Sequence, residues 1–192
     1  ENTEIAFSGK SNRDLKWAHR LFNYLGKNWF IKFGKWGTNI ALKLHLPIRG
    51  IVKKTIFKQF CGGEDIEECK TVIRQLAIYN IGTILDYSVE AKSSDEDFEK
   101  SFKELFAAIK LAANNPEIPF AVFKISGIAK LSLLEKHNEN EPENDPEYKI
   151  AFERVNKLCK AAFEANTPIF IDAEETWVQG TIDRITEQMM VK

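Results

Sequence analysis

No stretch of the 192-residue chain approaches the roughly 20 consecutive apolar residues that a helix needs to cross a bilayer, which excludes a helical membrane span. The opening Glu1-Asn2-Thr3-Glu4 has neither the basic start nor the apolar core of an export signal, so the protein is expected to stay inside a cell or organelle. Cysteine is scarce: Cys61, Cys69 and Cys159 stand far apart, with no Cys-x-x-Cys and no histidine pair nearby. That spacing excludes a disulfide framework and a zinc site, and all three thiols are expected to be buried or half-buried. Neither a Gly-x-Gly-x-x-Gly nor a Walker loop occurs after any apolar run, which weighs against dinucleotide-binding and P-loop folds.

Acidic residues are missing from one region altogether. Between Leu15 and Gly63 there are ten Lys or Arg and no Asp or Glu. Residues 1–63 hold twelve bases against three acids, and residues 64–192 hold fifteen against twenty-five. The basic region is rich in aromatics, from Trp17 and Phe22 through Trp29, Phe30, Phe33 and Trp36. Amphipathic helices whose lysines face water or pair with the acidic half account for this simply. Docking on an anionic membrane or on nucleic acid is the sharper alternative, and of the two the nucleic acid is not the expected partner.

The pattern divides the chain into a helical region, 1–81, and an alternating region, 82–192. Leu15, Ala18, Leu21, Phe22 and Leu25 recur at helical spacing, and Gly26-Lys27-Asn28 predicts a break between two helices. Pro47 opens a third helical run that ends at Cys61-Gly62-Gly63, and Asp65 to Tyr79 reads as a fourth. From Gly82 the period changes. Thr83–Glu90, Phe120–Ile125 and Pro168–Asp172 read as short buried strands. Helices follow each: one capped by Ser93 with Glu96, one by Asp145-Pro146, and one from Thr176 to the C-terminus. The polar stretch His137–Pro146, acidic and rich in Asn and Pro, reads as a mobile loop. Strand, helix, strand, helix, strand, helix predicts α/β architecture with parallel strands, either doubly wound or part of a barrel.

Functional groups in such folds gather at the C-terminal strand ends. All three strands place ionisable residues there: Asp86 and Glu90, then Lys124, then Asp172 with Glu174 and Glu175. One such residue reads as a salt bridge or cap. Three strands bearing them together point to one shared site.

The segments Ile84-Leu85-Asp86-Tyr87-Ser88-Val89-Glu90, Phe123-Lys124-Ile125-Ser126-Gly127 and Ile171-Asp172-Ala173-Glu174-Glu175 resemble, in order and spacing, the first three strand motifs of the proline dehydrogenase family. Thr55–Glu64 resembles the helix turn before that family's barrel. The resemblance implies a partial (β/α)8 TIM-like barrel, its first three βα units after a helical lead-in. It also implies a flavoprotein of proline catabolism: FAD at the strand ends, L-proline oxidised to 1-pyrroline-5-carboxylate by hydride transfer to the flavin, and electrons passed to a quinone. By the same resemblance Lys124 binds the proline carboxylate, and Asp172 lies beside Lys124 and the flavin. Ala173 is then a backbone neighbour of the flavin, Glu174 serves the flavin or its loop, Glu90 forms an ion pair closing the site, and Asp86 supports the strand end. Lys124 and Asp172 are the catalytic candidates. The family's arginines and most flavin contacts come from later strands, so the chain by itself is expected neither to hold FAD stably nor to turn over proline. The resemblance places the protein in the cytoplasm at the periphery of a bacterial inner membrane, or in a mitochondrion. Two other readings compete: a non-catalytic interaction module or piece of a split protein, and a different βα enzyme using Lys124 as a Schiff-base amine.

Overall fold

The computed structural model describes residues 2–87, 94–142 and 144–192. The chain divides into two compact units, Glu1–Asn80 and Ile81–Lys192.

The described residues of the first unit form helices joined by turns, with no strand: α1 (Thr3–Ala6), α2 (Asn12–Leu25), α3 (Asn28–Lys43), α4 (Arg49–Val52), α5 (Lys58–Phe60) and α6 (Ile66–Ala77). The break at Gly26-Lys27 falls where the sequence places it. Ser11 starts α2 by accepting the Asp14 N–H, and Asp65 starts α6 by accepting that of Glu68. Between α4 and α5 the helix widens into a π turn, Lys53–Phe57. There the Thr55 hydroxyl donates to the Ile51 carbonyl at 2.6 Å, a back-bond of the kind that bends helices. Lys53 in this turn pairs with Glu64 at 2.6 Å and Glu68 at 2.5 Å, while Arg49 reaches Glu64 at 3.1 Å. Some bases of the positive stretch are therefore neutralised by the first acids after Gly63. Cys61 corrects the expectation for the thiols: it is exposed, because it follows α5 in an extended conformation outside the helix face, while Cys69 and Cys159 are half-buried.

The second unit holds α7 (Asp95–Ala113), β1 (Ala121–Phe123), α8 (Leu131–Lys136), α9 (Pro146–Glu164), β2 (Ile169–Ile171) and α10 (Thr176–Met190). β1 and β2 are parallel, with Ala121 opposite Ile169, Val122 opposite Phe170 and Phe123 opposite Ile171. On the other side of β1, Leu85 forms one parallel bridge to Ala121. The first expected strand is thus reduced, within residues 81–87, to a single bridge, and Ser88–Ser93 lie outside the described residues. Among the described residues no strand pairs with the far edge of β2.

Alternation sorts the sheet residues. Ala121, Phe123 and Ile125 are buried in a core with Leu105 and Ile109 of α7, Val155 and Leu158 of α9, and Val178, Ile182 and Ile185 of α10. The opposite face carries Val122, Lys124 and Asp172, with Phe120 and Phe170 stacked at 4.7 Å between ring centroids. Helices cover one side of the sheet, and the other side is left for a site.

Helix starts follow their caps. α7 begins one residue later than expected, because Ser94 rather than Ser93 accepts the Asp97 N–H. Asp145 caps α9 by accepting from Glu147 and Tyr148, with Pro146 in the first turn. The Asp145 carboxyl is held well below the usual carboxylate range, first by Lys136 and then by His137. The helix α8 had no counterpart in the sequence reading.

The reading of 137–146 as a mobile, solvated loop is corrected at its ends. His137 is buried and contacts Asp145 at 3.0 Å. Asn138 accepts the Gly180 N–H at 2.8 Å, and Arg184 donates to the His137 carbonyl at 3.0 Å. A Cβ at Gly180 would sit 2.3 Å from the Asn138 carbonyl oxygen. Alanine in place of a helical glycine ordinarily stabilises by about 1 kcal/mol. Gly180→Ala is instead expected to lower the melting temperature of this protein, since backbone rather than a flexible side chain must move. Thermal unfolding followed by circular dichroism checks the sign.

Candidate functional site

The site grows from the ends of β1 and β2. One step beyond the last paired residues, the Asp172 N–H donates to the Phe123 carbonyl at 3.0 Å, which carries the parallel ladder to the strand ends. Phe123 is 1% exposed and fixes this point in the core. Lys124 and Asp172 therefore emerge side by side on the open face, with Nζ 3.5 Å from Oδ2. Their side chains are 35% and 48% exposed, so both remain within reach of a solute.

Partial burial works against the charge on Lys124, but Asp172, then Glu174 and Asp86, outweigh it and raise the amine above its ordinary range. A lysine so placed is a permanent cation at neutral pH. It suits a carboxylate ligand. A Schiff-base nucleophile favours the opposite shift, toward the free amine.

Asp86 is exposed and lies one residue past the bridging Leu85, so the first segment brings its acid to the same strand ends. Ala173 is exposed in the loop that leaves β2. Glu174 turns back toward β1: one carboxylate oxygen accepts the Ser126 N–H at 3.0 Å and the other accepts the Ser126 hydroxyl. Its own N–H donates to the Gln179 side-chain oxygen at 2.8 Å. Glu90 lies outside the described residues. Glu175 precedes α10 as its cap residue, with no side-chain capping bond. Of the residues expected at the site, Lys124, Asp172 and Glu174 stand at these strand ends, while nothing was assigned to Ser126 or Gln179. Ser126 was visible only as a small polar residue just past a strand.

Three parallel segments bring Asp86, Lys124 and the Asp-Ala-Glu-Glu run to one edge. The proline dehydrogenase family model matches residues 69–192, about two thirds of the chain. The chain belongs to the proline dehydrogenase family. It is similar to proline dehydrogenase 1, mitochondrial, of Dictyostelium discoideum, at 27% identity over 233 residues, covering 100% of this chain and 41% of that protein. Similarity extends to the carbapenem antibiotics biosynthesis protein CarD of Pectobacterium carotovorum subsp. carotovorum, 25% identical over 134 residues, 68% of this chain and 36% of that protein. Proline dehydrogenase 1, mitochondrial, of Caenorhabditis elegans is 33% identical over 122 residues, 62% of this chain and 20% of that protein. The chain spans about two fifths of the length of the first of these relatives, and less of the others. Its fold is mostly helical α/β with a small parallel sheet.

The residues present fit one part of a flavin site. Val122 and the Phe120–Phe170 stack give an apolar strip beside the Lys124–Asp172 pair, and Ala173 offers exposed backbone at its end. The segments 124–130 and 172–180 contain no arginine and no glycine-rich turn to receive a pyrophosphate.

Proposed function

We propose that this chain supplies the substrate-carboxylate side of an FAD-dependent L-proline oxidation site, forming 1-pyrroline-5-carboxylate. The single observation behind this reading is the Lys124–Asp172 pair at the adjacent ends of two parallel strands. Lys124 presents a compact, permanent positive charge to the proline carboxylate. Asp172 lies beside that amine and favours its charged form. Asp86 adds to the negative surround that keeps Lys124 charged. When bound, the flavin supplies the acceptor for the two electrons leaving proline. The protein's own contribution is orientation, since a substrate held at reacting distance gives up hydride without a strong acid or base. The parallel strands are read as the first staves of a (β/α)8 barrel, with a quinone as the final acceptor and a mitochondrial or bacterial inner-membrane surface as the place of work.

The test expresses the chain alone and together with the remaining segment of a curated relative. Flavin absorbance and proline-dependent reduction of a dye are then followed. The expected result is no stable flavin in the chain alone, and flavin with turnover in the pair. Turnover that is indifferent to Lys124 would end the proposal.

A peripheral membrane contact is favoured by α3. Trp29, Phe33 and Trp36 recur at helical spacing on one face and are 60%, 62% and 59% exposed, on a helix carrying Lys32, Lys35 and Lys43 and no acid. No helix among the described residues is long and apolar enough to cross a membrane, so this face would lie in the interfacial plane. Co-sedimentation with anionic vesicles, lost in a Trp29→Ser, Phe33→Ser, Trp36→Ser variant and weak on neutral vesicles, is the expected outcome.

A further inference from the structure

The Lys124–Asp172 pair is loose at 3.5 Å and half-open to water, and such exposed pairs do not fix their own geometry. Just past the strand ends stands a tighter connection. Ser126 lies in the 3-10 turn Ile125–Gly127 after β1 and Glu174 in the loop after β2, two residues beyond Lys124 and Asp172 respectively. There the Glu174 carboxylate takes both the N–H and the hydroxyl of Ser126 across 48 residues of sequence. The Glu174 N–H is fixed in turn by the Gln179 side-chain oxygen, and the Gln179 amide donates to Asp183 at 2.6 Å. Each end is rooted in the core: Ile125 beside Ser126 is fully buried, as is Val178 beside Gln179.

We infer that Ser126, Glu174 and Gln179 form a brace that sets the spacing and direction of Lys124 and Asp172, making Ser126 and Gln179 positioning residues for the carboxylate-binding pair. A carboxylate accepting two donors from one residue is directional as well as strong. It locks the first turn after β1 to the loop after β2, where the sheet itself has ended. It also commits Glu174 to the protein rather than to the cofactor. The value of the brace to catalysis rests on the reading of Lys124 as the carboxylate site, but its existence does not.

The experiment therefore reads Lys124 directly, without turnover. The chain is trace-labelled with acetic anhydride at pH 8, and acetylation at Lys124 is compared by mass spectrometry with Lys100 and Lys103 on α7. Lys124 should label slowly, because Asp172, Glu174 and Asp86 favour its charged form. Ser126→Ala keeps every charge in the chain but frees Glu174. Labelling of Lys124 should then rise roughly threefold or more, as Lys124 and Asp172 lose their fixed spacing and the free-amine fraction grows. Ser126→Thr, which restores a hydroxyl, should return it to the original rate. Gln179→Met cuts the other end and should raise labelling in the same direction; it decides the matter if Ser126→Ala does not fold. A lower melting temperature with Lys124 labelling unchanged or reduced overturns the proposal, since the contact would then be only structural. Absence of proline turnover in the paired assay would count against the functional reading and leave the brace standing.

Discussion

Lys124→Met should raise the proline concentration needed for half-maximal rate by about 100-fold, with a smaller effect on turnover at saturation. Removing one partner of a hydrogen-bonded charge pair at a binding site costs about 2–5 kcal/mol. The half-open setting of Lys124 places the loss toward the lower end of that range, because water screens what remains. Methionine keeps length and bulk, so the change isolates charge. The Asp172 carboxylate, left without its cation, would also repel the substrate carboxylate. Lys124→Arg should recover only part of the loss, since a planar fork cannot stand in for a compact point charge so near Asp172. The amine is raised above its ordinary range, so Lys124 stays charged as pH rises through neutrality and its stabilising contribution fades only above about pH 10.5. The loss in Lys124→Met should accordingly be nearly constant between about pH 6 and 9. A loss confined to one side of neutral pH would show that another group binds the carboxylate. Steady-state kinetics of the paired protein with a dye acceptor makes the measurement.

The second large effect is expected from Phe123→Ala. Phe123 is almost fully buried among α7, α9 and α10, and its carbonyl accepts the Asp172 N–H. Truncating a buried phenylalanine costs about 3–5 kcal/mol, through lost transfer energy and the cavity left behind. A domain's whole stability is about 5–15 kcal/mol. For a unit of this size the melting temperature should fall by roughly 12–30 °C. Phe170→Ala is the comparison: Phe170 is 47% exposed and loses chiefly its stack on Phe120, so its shift should be several-fold smaller. Equal shifts would mean that the open face of the sheet is covered in solution.

Much of this was legible in the sequence where the signal is local. The Gly26-Lys27-Asn28 break, the Asp145-Pro146 start and the two short apolar strands each announce themselves within a few residues, because caps, glycine and period-2 burial act over that range. Lys124 and Asp172 could be paired before any coordinates because family motifs in order imply neighbouring staves, and the parallel register places them together. What escaped is non-local or ambiguous. Ser93 and Ser94 both stand three residues before an acid, and only the geometry chooses Ser94. The helix α8 is too short for a period to declare itself and has no side-chain cap. His137 heads an acidic stretch and reads as solvated, yet the Arg184 bond to its carbonyl and the Asp145 contact hold it inside. Ser126 with Glu174 and Asn138 with Gly180 are 48 and 42 residues apart, and no window of sequence contains either pair.

The far edge of β2 has a consequence for anyone handling the protein. Its row of backbone groups beside Ile169 and Phe170 meets no partner strand among the described residues, and no charge stands along it until Asp172. Such a row recruits any extended chain of either direction, a second molecule included, because backbone groups do not discriminate among sequences. Solutions of this chain are therefore best kept dilute, and a peptide designed to lie along that margin would serve both as a solubilising chaperone and as a probe of how accessible it is.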